Sequence, residues 1–575
     1  MNYRQEYEKW LASPALSEDE RNELKAIAND EKEIENRFYG PLEFGTAGLR
    51  GTMYVGLHNM NRHVIRWATQ GFANVIRAEG EEAMKKGVAI CMDCRNHSME
   101  FARAAACVMA GNGITVKLFE SLRPTPELSF AVREYGCEAG INVTASHNPK
   151  EYNGYKAYWT DGSQVTAPHD RNIIAEVEKI TSIDQILTGA NPGNITLLGE
   201  EFDEIYLNKV HTLSLSPESV GKFHDMKIAY TPLHGAGVRL VPASLRKWGF
   251  TNVSLVEEQA VIDGNFPTVE SPNPEERKTM AKAIELGSRL GADLVLATDP
   301  DSDRIGVALR NAKGEYVLLN GNQTLSLIMA YQLTRWSELG RLDGKEFVVK
   351  TIVTSQMPNV MAAHFGVKCY DCLTGFKYIA RIIRNNEGKA TYIGGGEESF
   401  GYLAGDFVRD KDAVSACSLV AEAAAWTRDT MGLTLYEWLQ KLYVEFGFFR
   451  EGLVSVVRKG MEGAAEIQQM MVDYRADPPR EIAGSPVVKI NDFKLLESTD
   501  VRTGAKTPIE EEASNVLQWF AADGTVVSVR PSGTEPKIKF YFGVRAELES
   551  VADFDRVEAG LDAKIETIKK ELKLV

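Results

Sequence analysis

Long apolar stretches are missing from this chain, and nothing reaches the 18 or so consecutive apolar residues that a bilayer-spanning helix needs. The first residues, MNYRQEYEKWLASPALSEDERNELKAI, are charged and helical in spacing, without the apolar centre of a secretory signal, so a cytoplasmic location is expected. Cysteine is scarce, seven in 575 residues, which excludes a disulfide-stapled framework. Two Cys-x-x-Cys pairs occur, Cys91/Cys94 and Cys369/Cys372. Each ends an apolar strand-like run with no second pair or histidine to complete a zinc site, and they read as buried thiols. Positive charge is also short: 65 Lys and Arg stand against 80 Asp and Glu, a net charge of −15. A surface of that sign repels phosphodiester backbones and anionic lipid, so neither nucleic acid nor membrane is expected as a partner. A small phosphorylated molecule stays open, because a local basic cluster can hold it against the global sign. Neither G-x-G-x-x-G nor G-x-x-x-x-G-K-[ST] occurs, which counts against NAD or ATP as the working cofactor.

What is present is a repeated α/β order. A chain of 575 residues exceeds the size at which one hydrophobic core stops growing, so several domains are expected. GVAICMDC (87–94) and ITVKLFE (114–120) read as strands with a helix between them; a helix over 126–135 follows, then AGINVTAS, ending at Ser146. KIAY, a helix over 238–248, NVSLVE and a helix over 275–290 lead to DLVLATD, ending at Asp299. FVVKTIV, a helix near 358–365, VKCYDCL and a helix over 377–385 lead to ATYIGG, running into Glu397. The stretch from about 450 departs from this order, with a helix near 462–474, the hairpin-like VLQWFAADGTVVSVR, the strand KIKFYFGVRA and a closing helix. Each repeat thus finishes a strand at a polar loop: TASHNP, DPDSDR and GGGEESFG. Ligands of open parallel sheets sit outside the carboxyl ends of the strands. Three such loops in equivalent places suggest three domains aimed at one cleft.

The loops differ in chemistry. Ser146, exposed at a strand end before Asn148-Pro149, is placed to act as nucleophile or phosphoryl carrier, with His147 and Lys156 as sources of a base and of positive charge. Asp299, Asp301 and Asp303 alternate, so that in an extended loop their carboxylates converge on a hard cation, and Mg²⁺ suits such oxygen ligands. An EF-hand is excluded because Arg304 and Arg310 occupy the places of its glycine and glutamate. A haloacid-dehalogenase-type phosphatase, with Asp299 as nucleophile, is a rival reading of the same D-x-D. Glu397 and Ser399 lie two apart in a glycine-rich loop and, if extended, face one side where they can grip adjacent sugar hydroxyls. RPSGTEPK (530–537) reads as an anion site: Arg530 offers a bidentate fork, and Ser532, Gly533 and Thr534 offer hydroxyls and a nest of N–H groups. Arg50 stands in the glycine-flanked GTAGLRG (45–51), within reach of a phosphate.

Together, TASHNP, D-x-D-x-D-R, GEES and RPSGTEPK, in this order over roughly 40–545, resemble the α-D-phosphohexomutase superfamily, which includes phosphoglucomutase and phosphomannomutase. The resemblance implies an α/β fold of three similar domains with mixed sheets and a smaller α+β C-terminal domain around a central cleft. The expected divisions are 1–210 (phosphoserine, with an N-terminal helical extension), 211–325 (metal), 326–449 (sugar) and 450–575 (phosphate). It implies Ser146 as phosphoryl carrier and, with Asp299, Asp301 and Asp303, as a ligand of one Mg²⁺. It further implies Arg50, His147, Lys156 and Lys411 around the transferred group, Glu397 and Ser399 on sugar hydroxyls, and Arg530, Ser532, Gly533 and Thr534 on the non-reacting phosphate. Thr374, Gly375 and Lys377 match the family's third-domain substrate loop, and Arg304 follows the metal loop. Which of His147, Lys156 and Lys411 is the general base stays open. Ala413 and Cys94 depart from common family residues but touch no expected catalytic side chain. The implied activity is interconversion of glucose 1-phosphate and glucose 6-phosphate, with mannose phosphates as further substrates and glucose 1,6-bisphosphate as intermediate and activator. A phosphopentomutase or a hexose-bisphosphate synthase is the alternative on the same scaffold, and monomer or dimer stays open.

Overall fold

The computed structural model describes residues 2–42, 48–189, 192–458, 460–532 and 537–574. In the first unit the sheet order is Leu49–Thr52, Tyr152–Trp159, Ala139–Val143, Val88–Met92, Val116–Phe119 and Ile195–Leu198. The last four run parallel, and the first two join antiparallel. Val88–Met92 is buried along its whole length, as strands covered on both faces are. Its alternate side chains divide between two cores. Val88, Ile90 and Met92 meet the apolar faces of helices Arg62–Ala78 and Ser98–Gly111, while Ala89 and Cys91 enter the core on the opposite face.

That second core does not stop at the first unit. It continues from Leu128 and Phe130 through Leu240, Leu294, Phe347 and Trp426 to Val527 and Phe542. The expected divisions at 210/211, 325/326 and 449/450 fall within the elements Glu200–His211, Gly321–Glu338 and Phe448–Val457.

The second sheet is ordered Tyr316–Leu318, Ile305–Arg310, Leu294–Thr298, Ile228–Thr231, Val253–Leu255, and the third Lys368–Cys372, Glu346–Thr351, Thr391–Glu397, Gly401–Ala404. Both mix parallel and antiparallel pairs. The last unit has a sheet of antiparallel pairs, from Phe448–Val457 through Lys537–Ala546, Val526–Pro531, Leu517–Ala521, Ser485–Asp492 and Glu497–Asp500 to Lys506–Pro508. The helix Phe554–Glu571 packs on it. Three mixed-sheet α/β units and a C-terminal α+β unit are thus the architecture. Among the described residues no helix is long and apolar enough to cross a membrane.

One local expectation needs correction. The helix expected over 275–290 begins only at Ala281, because Asn273–Pro274 opens a run of turns and Glu275 is drawn aside to Arg304. The three polar loops do not lead into helices. Each bends back into an antiparallel neighbour: Ala139–Val143 into Tyr152–Trp159, Leu294–Thr298 into Ile305–Arg310, and Thr391–Glu397 into Gly401–Ala404.

Candidate active site

The three loops meet. Ser146 leaves the extended backbone and takes a left-handed φ of 52°, a conformation that costs a residue with a Cβ roughly 1–2 kcal/mol. Its Oγ lies 2.8 Å from Asp299 Oδ2 and 3.1 Å from His147 Nδ1. In an extended segment Ser146 and His147 would point apart; the left-handed turn brings both to one point. Arg50, on the strand paired with Tyr152–Trp159, reaches the same loop and donates to Asn148 Oδ1 at 2.9 Å.

The acidic loop is also not extended. Ser302 has φ 53°, and Asp299 Oδ1 accepts from the N–H groups of Asp303 (3.2 Å) and Arg304 (3.1 Å), folding the loop over itself. The fold still gathers oxygens of Asp299, Asp301 and Asp303 within 4.8 Å of one another, all buried. Lys156 Nζ lies 3.0 Å from Asp301 and 3.8 Å from Asp303, and Lys411 Nζ lies 3.1 Å from Asp303. Thr125 donates to Asp301 Oδ2 at 3.0 Å. Asp301 Oδ1 and Asp303 Oδ1 remain buried with no hydrogen-bond partner. Such orphaned carboxylate oxygens, converging beside a serine hydroxyl, are a donor set that fits a hard divalent cation.

The electrostatics reflect this crowding. Burial, then the charges of Asp301 and Asp303, pushes Asp299 well above the usual carboxylate range. Burial acts the same way on Asp301, but Lys156 and hydrogen bonding from Asp299 outweigh it and hold that carboxyl low. Burial would lower both lysines; Asp301 and Asp303 raise Lys156, and Asp303 and Asp410 raise Lys411, so both stay cationic. Burial, with Arg304 and Arg50 beside it, drives His147 well below its ordinary value, leaving a neutral imidazole.

The glycine-rich loop that follows Thr391–Glu397 completes the wall. Arg304 and Gly401 form an isolated antiparallel bridge that ties it to the acidic loop. Glu397 ends a buried strand, and its Oε1 accepts the Gly375 N–H at 2.9 Å; Gly375 sits at φ 123°, a region closed to other residues. Thr374 Oγ1, next to it, is buried without a partner, and Lys377 stands half-buried in the first turn of Phe376–Asn386. Ser399 lies in a turn before Phe400 at φ 65°, so the extended spacing expected for Glu397 and Ser399 does not hold. From the last unit, Arg530 is the last residue but one of Val526–Pro531 and donates to Tyr541, and the Ser532 N–H closes onto Lys537 O at 2.8 Å. Gly533 and Thr534 lie outside the described residues.

This arrangement agrees with the family models. The phosphoglucomutase/phosphomannomutase alpha/beta/alpha domains I, II and III match residues 41–184, 204–314 and 320–446, and the C-terminal domain of that family matches 489–561. A phosphoglucomutase of Staphylococcus aureus (strain N315) is 35% identical over 548 residues, which are 94% of this chain and 96% of that one. The chain belongs to the phosphoglucomutase/phosphomannomutase family. As a member it is a phosphohexomutase, an enzyme that transfers a phosphoryl group. Two solved structures share the fold: a phosphoglucomutase/phosphomannomutase family protein from Burkholderia thailandensis (TM-score 0.63, 18% identity, 92% of this chain and 97% of that one), and the phosphoglucomutase pp63/parafusin from Paramecium in an open form (TM-score 0.64, 16% identity, 92% and 96%).

Residues that sequence reasoning passed over in this phosphohexomutase support the ones it named. Asp410 holds Lys411 and also accepts from Tyr158 (2.8 Å) and Gln164 (3.0 Å). Asn142 donates to Thr125 Oγ1 at 2.7 Å, fixing the hydroxyl that meets Asp301. Glu275 anchors Arg304 at 2.5 Å. Asp93 and Arg95 grip the serine loop. A signal existed for some of them: Asp93 and Arg95 stand at the carboxyl end of a buried strand, and Asn142 interrupts an apolar one.

Proposed function

We propose that this phosphohexomutase interconverts α-D-glucose 1-phosphate and glucose 6-phosphate, with mannose phosphates as further substrates, through a phosphorylated Ser146 and glucose 1,6-bisphosphate. The observation that carries the reading is Ser146 Oγ at 2.8 Å from Asp299, inside a buried group of three carboxylates and two lysines. A serine so enclosed suits a carrier, because a phosphoserine must be kept from water between half-reactions.

In this reading Asp299, Asp301, Asp303 and the phosphoserine would hold one magnesium ion, which when bound supplies positive charge beside the transferring oxygens. Lys156, Lys411 and Arg50 bring further positive charge to the same point, where it is worth most in a closed site. His147, held neutral, is suited to take the proton of the attacking hydroxyl, while the two lysines are held protonated by their acidic partners. That favours His147 among the candidate bases. Glu397, Ser399, Thr374, Gly375 and Lys377 bound the side where sugar hydroxyls would lie. Arg530, Ser532, Gly533 and Thr534 are proposed for the far phosphate, and Arg304 joins the metal and sugar loops. The phosphoryl group passes from Ser146 to the free hydroxyl of the monophosphate; the bisphosphate turns over in the cleft, and its other phosphoryl group returns to Ser146.

The test is turnover of glucose 1-phosphate, mannose 1-phosphate and ribose 1-phosphate, each with Mg²⁺ and a trace of glucose 1,6-bisphosphate. The highest kcat/KM is expected for glucose 1-phosphate. A clear preference for ribose 1-phosphate would make the chain a phosphopentomutase.

A further inference from the structure

The loop that carries Ser146 is gripped through its backbone by side chains that stand apart from the reacting groups. Arg95 follows the buried strand Val88–Met92, and its guanidinium is fully enclosed, with 0% of the side chain exposed. Nη2 donates to Ser146 O at 2.6 Å and to Asn148 O; Nη1 donates to Pro149 O at 2.9 Å and Tyr152 O at 3.0 Å. A planar fork with five donors fits this ring of carbonyls, and a lysine ammonium does not.

The other side of Ser146 is held as well. Its N–H donates to Thr144 Oγ1 at 2.8 Å, and that hydroxyl donates to Asp93 Oδ2 at 2.7 Å. Asp93 also accepts from Ser98 Oγ at 2.7 Å and from the Arg95 N–H at 2.9 Å, and lies 3.3 Å from Arg95 Nε. From the second unit, Phe266 covers the guanidinium with its ring centroid at 5.1 Å, and Ser271 donates to His147 O. Both backbone polar groups of Ser146 therefore lead to one enclosed ion pair. Without it, a residue with a Cβ would relax from φ 52° toward extended backbone and swing Oγ away from Asp299.

We propose that Arg95 and Asp93 are positioning residues for Ser146, holding it in the left-handed conformation that aims Oγ at the acidic group and the incoming phosphoryl group. This rests on the reading of Ser146 as carrier. The test measures Arg95→Lys beside the unmodified enzyme and Ser146→Ala, for steady-state kinetics, thermal midpoint, and the single-turnover rate at which glucose 1,6-bisphosphate phosphorylates the protein. In Arg95→Lys, kcat and the single-turnover rate should fall about 100-fold, as for a misplaced reacting atom, with KM held within about twofold. Thr144→Val removes the acceptor on the other arm at nearly constant shape; it should lower the same rate and serves if Arg95→Lys does not fold. An undiminished rate per folded molecule, or a raised KM at unchanged kcat, would overturn the proposal. Normal turnover by Ser146→Ala would instead overturn the carrier reading, and the positioning claim with it.

Discussion

Ser146 Oγ and Asp299 Oδ2 are 153 positions apart in sequence and 2.8 Å apart in space, each in the loop that follows a buried strand of its own sheet. Neither loop reaches the other by flexibility. Each joins two antiparallel strands of its own sheet, and a core shared by the units lies beneath them.

Asp301 meets Lys156 and Thr125 through Oδ2, while Oδ1 has no hydrogen-bond partner. Asp301→Asn keeps the shape and removes one charge. It should lower kcat about 10²–10³-fold and raise the Mg²⁺ concentration needed for half-maximal rate, the scale of losing one preorganised electrostatic contact. A Mg²⁺ titration of both proteins checks this; unchanged kinetics would take the acidic loop out of the site.

Glu397→Gln retains an acceptor for the Gly375 N–H, so the glycine turn should persist. What is lost is the negative charge offered to sugar hydroxyls. A hydrogen bond to a charged group is worth about 1.5–3 kcal/mol, so kcat/KM should fall about 10- to 100-fold with the thermal midpoint nearly unchanged. Kinetics equal to the unmodified enzyme would remove Glu397 from substrate contact.

These sites show what one sequence makes legible. Buried parallel strands are continuous apolar runs, so VAICM, AGINV and LVLAT declare themselves, and the polar residues just after them mark the cleft. The C-terminal strands Glu497–Asp500 and Lys506–Pro508 escape notice because they are polar and bury little, held in place only by pairing to neighbours. Arg95 and Asp410 are hidden for a different reason. Their partners lie 51 and 252 positions away, at Ser146 and Tyr158, and no local period records such contacts. The conformations of the loops were also out of reach: alternation of Asp299, Asp301 and Asp303 suggests an extended strand, whereas Asp299 capping two N–H groups folds them into a turn.

Glu451, on the strand Phe448–Val457, packs against the loop of the third unit that holds Ser355; Arg450 beside it and the Tyr443 phenol are the other ionisable groups it feels. Burial raises its carboxyl to about 7, despite the Ser355 hydrogen bond and Arg450. A carboxyl raised in the fold binds its proton more tightly there than in the unfolded chain. Its contribution to stability is therefore complete below the unfolded value and is lost as pH rises toward 7. Between about pH 4.5 and 7 this amounts to roughly 3 kcal/mol. Glu451→Gln should flatten the fall of thermal midpoint across that window, measured by calorimetry at half-unit steps. An identical pH profile in both proteins would mean that Glu451 ionises freely.

The central claim is that Ser146 carries the phosphoryl group, and intact mass with turnover tests it most directly. The purified enzyme, incubated with glucose 1,6-bisphosphate and Mg²⁺, should gain a single phosphoryl group that maps to Ser146. Ser146→Ala should gain none and lose mutase activity by about 10⁴-fold or more, the scale seen when an enzyme loses its nucleophile. Near-normal turnover by Ser146→Ala, with phosphate found on Asp299 or nowhere, would contradict the account and leave the phosphatase-like reading of the acidic loop in its place.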